Sequence, residues 1–414
     1  MIKKALSYLT GQSGVFAINA IVGLLIIRLL PISEYSTVVI ALFLQVATCV
    51  LSDLGLTHAL ISKSSVRPLN SSQKSALVRS AIFQRDRFAL IAIPVVFLLG
   101  WILLREYHLN PLELAGVASL SIATGFFQAT LNIRRAELNA DQNDRALFRM
   151  GLCESVLRVA LLPLCILAPV AFAAIAINFI SVVLTLFLLR RISEITPFED
   201  VDEQGDLRKS LRTSASQLAP GVVYSLFQGQ ISVLLLGVTG QPQLVAEAGA
   251  LGRLAQVINL LLVLNPFWVQ PYFSRLRTRE SLIQGVKKLA AIVVLLSSII
   301  WISVVWTPEL WLMIIGEQYM HTSPALRIAM GGVIAHAIFA VSYTLAIARG
   351  LGSGQHWAVS LSISLQLIFL FAFGINSLSD ALMLQLLPAI GSLIIQLVLI
   401  GRHLTDKKYQ VTNT

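Results

Sequence analysis

Runs of about twenty apolar residues recur from one end of this chain to the other, and a run of that length is what a helix needs to cross the hydrocarbon core of a bilayer. With so many of them, a water-soluble core is excluded, because no polar face would be left for solvent. Composition agrees. Hydrophobic residues make up 56% of the chain and charged residues 13%, against about 25% charged in a soluble domain. The formal charge of +10 does not point to nucleic acid, since the basic residues sit in short clusters between the apolar runs, as membrane orientation requires. Cys49, Cys153 and Cys165 all fall inside apolar segments and have no paired spacing, so neither a disulfide framework nor a metal site is expected.

Taken in order, the runs predict twelve spans. They are residues 10–30, 35–61, 88–104, 112–133, then two helices within 147–189 reversing at Ala168-Pro169, and 214–238, 244–269, 289–305, 325–348, 357–374 and 380–400. The opening Met-Ile-Lys-Lys resembles a signal peptide. No small-residue cleavage site precedes Pro31, so it reads as an uncleaved first helix. Arg85, Asp86 and Arg87 are expected to delay the third span. The longest stretch without an apolar span is Arg190–Arg212, acidic from Glu199 to Asp206 and basic at both ends. Pro197 and Gly205 break it, so it reads as a linker.

The expected division is 1–190 as an N-terminal six-helix lobe, 191–212 as a linker, 213–401 as a second lobe and 402–414 as a tail. Lys and Arg cluster at the N-terminus, after even-numbered spans and at the C-terminus. Positively charged loops stay in the cytoplasm, which predicts that both termini and the linker are inside. Arg135–Gln142 after the fourth helix has a loose counterpart in Arg349–Gln355 after the tenth. Two repeats of the same orientation would place a site at their interface.

The sequence carries no phosphate-cradling loop, paired-histidine metal helix or nucleophile elbow. An enzyme is not expected, and neither is a cofactor. Polar residues at helical spacing inside the spans carry more information: Gln12, Asn19 and Gly23 in the first helix; Gln45, Thr48 and Ser52 in the second; Thr124, Gln128 and Asn132 in the fourth; Ser214, Gln217, Gly221, Tyr224, Gln228 and Ser232 in the seventh; Arg253, Gln256, Asn259 and Gln270 in the eighth. Such stripes serve helix packing or line a hydrated cavity, and their match on the first and seventh helices favours the cavity. Charges within spans cost roughly 2.5–3.5 kcal/mol each on insertion scales. Arg158 and Arg253 are the deepest cations. Glu154 lies one turn before Arg158, so an intrahelical ion pair competes with a ligand role there. Arg253 has no acidic residue at i±3 or i±4, and beside Gln256 and Asn259 it suits an anionic ligand. Arg28 and Arg327 read as interfacial anchors. Asp53 beside Gly55 reads as a cap or a coupling carboxylate, and His58 and His336 as packed histidines in preference to proton switches.

Three stretches carry a family resemblance. Arg28–Tyr35 resembles the end of the first helix of polysaccharide transporters and O-antigen flippases. Leu51–Leu60 is similar to the end of their second helix. Pro308–Tyr319 followed by Pro324–Arg327 is similar to their ninth-to-tenth connection. The family belongs to the multidrug/oligosaccharidyl-lipid/polysaccharide exporter superfamily. The resemblance implies an all-α membrane protein with twelve helices in two lobes forming a V and a central cationic cavity. It implies transfer of an undecaprenyl-pyrophosphate-linked oligosaccharide across the bacterial inner membrane by alternating access, with the polymerase and glycosyltransferases of that pathway as partners and no nucleic acid. The cavity residues expected to bind substrate are Arg253, Arg158, Gln256, Asn259, Asn19, Gln45, Gln128, Gln217, Tyr224 and Gln228. Glu154, Asp53 and His336 are the candidates for coupling or gating. The alternative reading is an ion-coupled multidrug and toxin extrusion antiporter. That function calls for acidic residues in the cavity, whereas the deepest charges here are balanced or basic. The chain departs from the flippase pattern at Gln228 and Gln230, where an acidic residue is common, and at Ser36, where glycine is usual.

Overall fold

The computed structural model describes residues 2–66, 71–107, 109–140, 143–192, 204–259, 269, 272–273, 276, 278–348 and 355–405. These residues are helical almost throughout. In chain order the helices are α1 Ile2–Leu29, α2 Ile32–Asp53, α3 Leu56–Val66, α4 Ser71–Leu104, α5 Pro111–Ala140, α6 Asp144–Leu161, α7 Pro163–Leu167, α8 Ala171–Ile192, α9 Gln204–Val238 and α10 Pro242–Asn259. They continue as α11 Arg279–Trp306, α12 Pro308–Ile315, α13 Ser323–Ala348, α14 Gln355–Phe373 and α15 Leu378–Thr405, with 3-10 turns at Arg105–Tyr107 and Glu317–Thr322.

Among the described residues, nine helices are long and apolar enough to cross a membrane, and two shorter apolar helices, Gly14–Leu29 and Trp357–Phe373, match the first and eleventh expected spans. The described part of the eighth is α10. Among the described residues eleven of the twelve expected spans have an apolar helix, while residues 260–268 of the eighth lie outside them; the chain is an all-α, multi-pass membrane protein.

Three boundaries differ from expectation. The second span is not continuous. Leu54 takes a left-handed conformation (φ 41°) and Gly55 follows at φ 86°, so α2 stops at Asp53. The Asp53 carboxylate accepts from the backbone N–H groups of Gly55 and Thr57 and from the Thr57 hydroxyl, which satisfies the first donors of α3. The third helix begins well before Arg85, because that arginine is buried within it instead of facing water. Its side chain is only 5% exposed and donates to the carbonyl of Phe126 (3.2 Å) and the hydroxyl of Thr130 (2.7 Å) on α5. The guanidinium also lies 4.1 Å from the Phe126 ring centre. Finally, α9 starts at Gln204, so Gly205 does not break it. A first-turn glycine gives up no intrahelical hydrogen bond of its own, since the first N–H groups of any helix have no partner within it. Residues 193–203, with Pro197, lie outside the described residues.

Two compact units divide the chain, Ile21–Ala246 and Met1–Ala20 with Glu247–Thr414. In the first, α2 and α5 form the central pair, flanked by α4, α8 and α9, with α3 against α5 and α9 and α6 against α8. The α2–α5 crossing depends on Gly125. A Cβ there would stand 2.3 Å from the carbonyl oxygen of Gln45 and 2.8 Å from Thr48. The reversal at Ala168–Pro169 is held by Glu34, whose carboxylate accepts from the Ala171 N–H (2.6 Å) at the start of α8.

In the second unit α13 and α14 both pack along α15. Pro388 interrupts α15. A proline has no N–H, so the carbonyl of Leu384, one turn earlier, loses its helical donor. Gln366 of α14 supplies the missing donor at 3.0 Å. Ser362 meets the Ser392 hydroxyl (2.8 Å) and the carbonyl of Pro388 (3.3 Å). These contacts fasten α14 to the proline site.

Candidate functional site

The first unit holds a polar chain that crosses three helices. Asn132 of α5 donates to the Cys49 thiol of α2 (3.4 Å). Its side-chain oxygen accepts from Gln128 and from Arg135, each at 3.3 Å. Arg135 also forms an ion pair with Glu154 of α6. Glu154 accepts from Arg158, one turn later on its own helix, at 2.6 Å. The Glu154 side chain is 6% exposed, Arg158 19% and Arg135 34%. One buried carboxylate is thus shared by two guanidiniums, which leaves a formal surplus of one positive charge. Arg135 is the more open of the two cations and stands in the middle of the polar chain, between Asn132 and Glu154. At one end the Oε1 of Gln128 is buried without a hydrogen bond.

The local sequence explains the arrangement. Gln128, Asn132 and Arg135 stand at i, i+4 and i+7, one face of α5. Glu154 and Arg158 stand at i and i+4 on α6. Gln128, Glu154 and Arg158 were expected as site residues, and one network joins them. Asn132 was seen only as part of a stripe and Arg135 only as a loop cation, while Cys49 was assigned no role. Extending the α5 stripe by one further turn would have reached Arg135.

The other expected residues are placed separately. Gln45 is half-buried on α2, and Tyr224 and Gln228 are half-buried on α9. Asp53 is occupied in capping α3. Gln217 lies on α9. In the second unit Asn19 is half-buried on α1 and donates to the carbonyl of Val15 (3.1 Å). Arg253 is half-buried on α10, and Gln256 and Asn259 lie on the same helix. His336 is exposed on α13, its ring centre 6.1 Å from that of Phe339. Part of the α2 stripe and part of the α5 stripe are satisfied within their own helices. Thr48 donates to the carbonyl of Leu44 (2.8 Å) and Thr124 to that of Leu120 (2.6 Å). These two hydroxyls serve packing and offer no donor to a ligand. Among the described residues no group of three or more histidine, cysteine or acidic side chains is placed to hold a metal ion.

No protein-family model matches the chain, and no curated protein matches it. Solved structures do. The inward-facing conformation of a multidrug resistance MATE family transporter of the MOP superfamily superposes with a TM-score of 0.64 at 14% identity, covering 94% of each chain. A eukaryotic MATE transporter gives 0.58 at 14% identity over 99% of this chain and 97% of its own. A Vibrio cholerae MATE transporter gives 0.58 at 13% identity over 98% and 99%. The similarity runs the length of both partners, and the chain has the fold of the MATE transporters of the MOP superfamily.

Proposed function

We propose that the protein is a multi-pass exporter that moves an amphipathic solute across the bacterial inner membrane by alternating access, with both termini and the 191–212 linker in the cytoplasm. The observation that carries this reading is the fold, shared over 94% of both chains with a multidrug resistance transporter. In this reading the lobes 1–190 and 213–401 alternately open a path to either side. The first of the similar structures is described as a multidrug resistance transporter, and that supports ion-coupled extrusion of small amphipathic solutes as the activity.

A second reading is favoured by a specific feature, the Arg135–Glu154–Arg158 cluster with its surplus positive charge. Together with the motifs at Arg28–Tyr35, Leu51–Leu60 and Pro308–Arg327, it supports an anionic, lipid-linked substrate such as undecaprenyl-pyrophosphate-linked oligosaccharide. Guanidinium forks suit phosphate, and half-buried Gln45, Tyr224 and Gln228 offer partners for sugar hydroxyls. Arg253, Gln256 and Asn259 are proposed to share that task.

The experiment is deletion of the gene with two readouts. Retention of ethidium in the deletion strain, reversed by the wild-type gene, supports drug extrusion. Accumulation of lipid-linked repeat units on the inner leaflet with loss of surface polysaccharide supports the second reading. A deletion strain unchanged in both contradicts the exporter proposal.

A further inference from the structure

Four carboxylates are buried among the described residues: Asp53, Glu137, Glu154 and Glu247. Asp53 is held by backbone N–H groups and a hydroxyl. Glu137 is paired with Arg134 (2.8 Å) and Glu154 with two arginines. An arginine stays charged at any pH a cell meets, so those ion pairs do not respond to protons near neutrality. Glu247 differs. Its Oε1 lies 2.7 Å from the Nε2 of His321, a histidine in the 3-10 turn Glu317–Thr322. Histidine is the side chain that ordinarily changes charge between about pH 5 and 8.

The two partners are unequally placed. The Glu247 side chain is 4% exposed and that of His321 is 53% exposed. The imidazole is therefore open to its surroundings, while the carboxylate it binds is enclosed by protein, where the attraction is stronger. The turn itself is anchored at its other face by buried Tyr319 and Thr322, so His321 is its free handle. The elements packed on the turn are α12 and α13. Their charged or titratable groups are Glu309, Arg327, His336 and Tyr343; the turn adds Glu317 and Tyr319, and α10 adds Arg253. Glu317 and Arg327 are exposed, and His336 lies fifteen positions beyond His321, further along α13.

We propose that Glu247 and His321 form a proton-binding latch between α10 and the turn Glu317–Thr322. A proton taken from water by the imidazole makes Nε2–H a charged donor to the Glu247 carboxylate and closes the latch. Loss of that proton removes the charge attraction and loosens the turn. In the proposed topology the seventh-to-eighth and ninth-to-tenth connections lie outside the cell, so the latch would read external pH. Its use in transport rests on the exporter reading; the latch itself does not.

The test is hydrogen exchange of residues 317–322 in the full-length protein in lipid nanodiscs, from pH 5.5 to 8.5, corrected for intrinsic exchange. In the wild type, protection should fall by about two- to fivefold as pH rises, the range expected of a partly exposed ion pair. His321→Gln and Glu247→Gln should remove the slope at the low-protection level. His321→Lys, which keeps a permanent cation, should remove it at the high-protection level. A flat wild-type profile, or an unchanged slope in His321→Gln, overturns the latch. If the exchange results hold while the deletion experiment shows no transport phenotype, the exporter reading fails and the latch stands.

Discussion

The two units fasten their helices by different chemistry. In Ile21–Ala246 two of the ties between helices are made by buried or half-buried arginines. Arg85 hooks α4 to α5, and Arg135 carries a polar chain from α2 through α5 to Glu154 on α6. In the unit with Glu247–Thr414 the ties along α15 are neutral. Amides and hydroxyls meet carbonyls at Gln366–Leu384, at Ser362–Pro388 and, between α15 and α13, at Gln396–Ser342 (3.3 Å). A buried charge that loses its partner is far more costly than a neutral group that does. Damage to the arginine ties should therefore be steep and context-dependent, and damage to the neutral ties along α15 shallow and repairable.

The largest effect is expected from Glu154→Gln, which leaves two guanidiniums facing each other without their carboxylate. Thermal unfolding in detergent should show a loss of about 3–5 kcal/mol. Glu154→Gln combined with Arg158→Gln should recover most of it, because the remaining cation, Arg135, is about a third exposed. A double variant no more stable than Glu154→Gln would break the account of the shared carboxylate.

Next is Gly125→Ala. The added Cβ meets backbone oxygen at 2.3 Å, and α2 cannot rotate that atom away. Overpacking of this kind costs about 1–3 kcal/mol, and the same assay reads it. Gly401→Ala, where a Cβ meets nothing within 4 Å, should be neutral by comparison.

The neutral ties along α15 should respond more gently. Gln366→Leu strands the Leu384 carbonyl, at a cost of about 1–2 kcal/mol. Adding Pro388→Ala should restore stability, since residue 388 then supplies its own N–H to that carbonyl. If Pro388→Ala is equally tolerated with and without Gln366, the amide is not substituting for the missing donor. The smallest effect is expected from Asp53→Ala, a lost cap at the start of α3 of about 1 kcal/mol.

How much of this was legible in the sequence follows from the range of the forces involved. The spans were legible because a bilayer imposes a length, and twenty apolar residues record it. The Ala168–Pro169 reversal was legible because proline is a local signal. The break at Leu54–Gly55 was missed because apolar residues continue on both sides, leaving one glycine and an aspartate as the only clues. The burial of Arg85, expected only to delay the third span, was not legible because its partners, Phe126 and Thr130, lie more than forty positions away. The Glu154–Arg158 pair was legible as an i, i+4 spacing, whereas its third member, Arg135, depends on the crossing of α5 and α6. Gln366 carries no local mark of its role, because the defect it repairs belongs to another helix.

The central claim is that this fold moves a solute across the membrane, and proteoliposomes of the full chain test it directly. The vesicles would carry ethidium in one set and a short-chain prenyl-pyrophosphate disaccharide in another, with a pH gradient imposed. The account predicts that one of the two crosses faster than in protein-free vesicles. Equal leakage of both probes with and without the protein would contradict it.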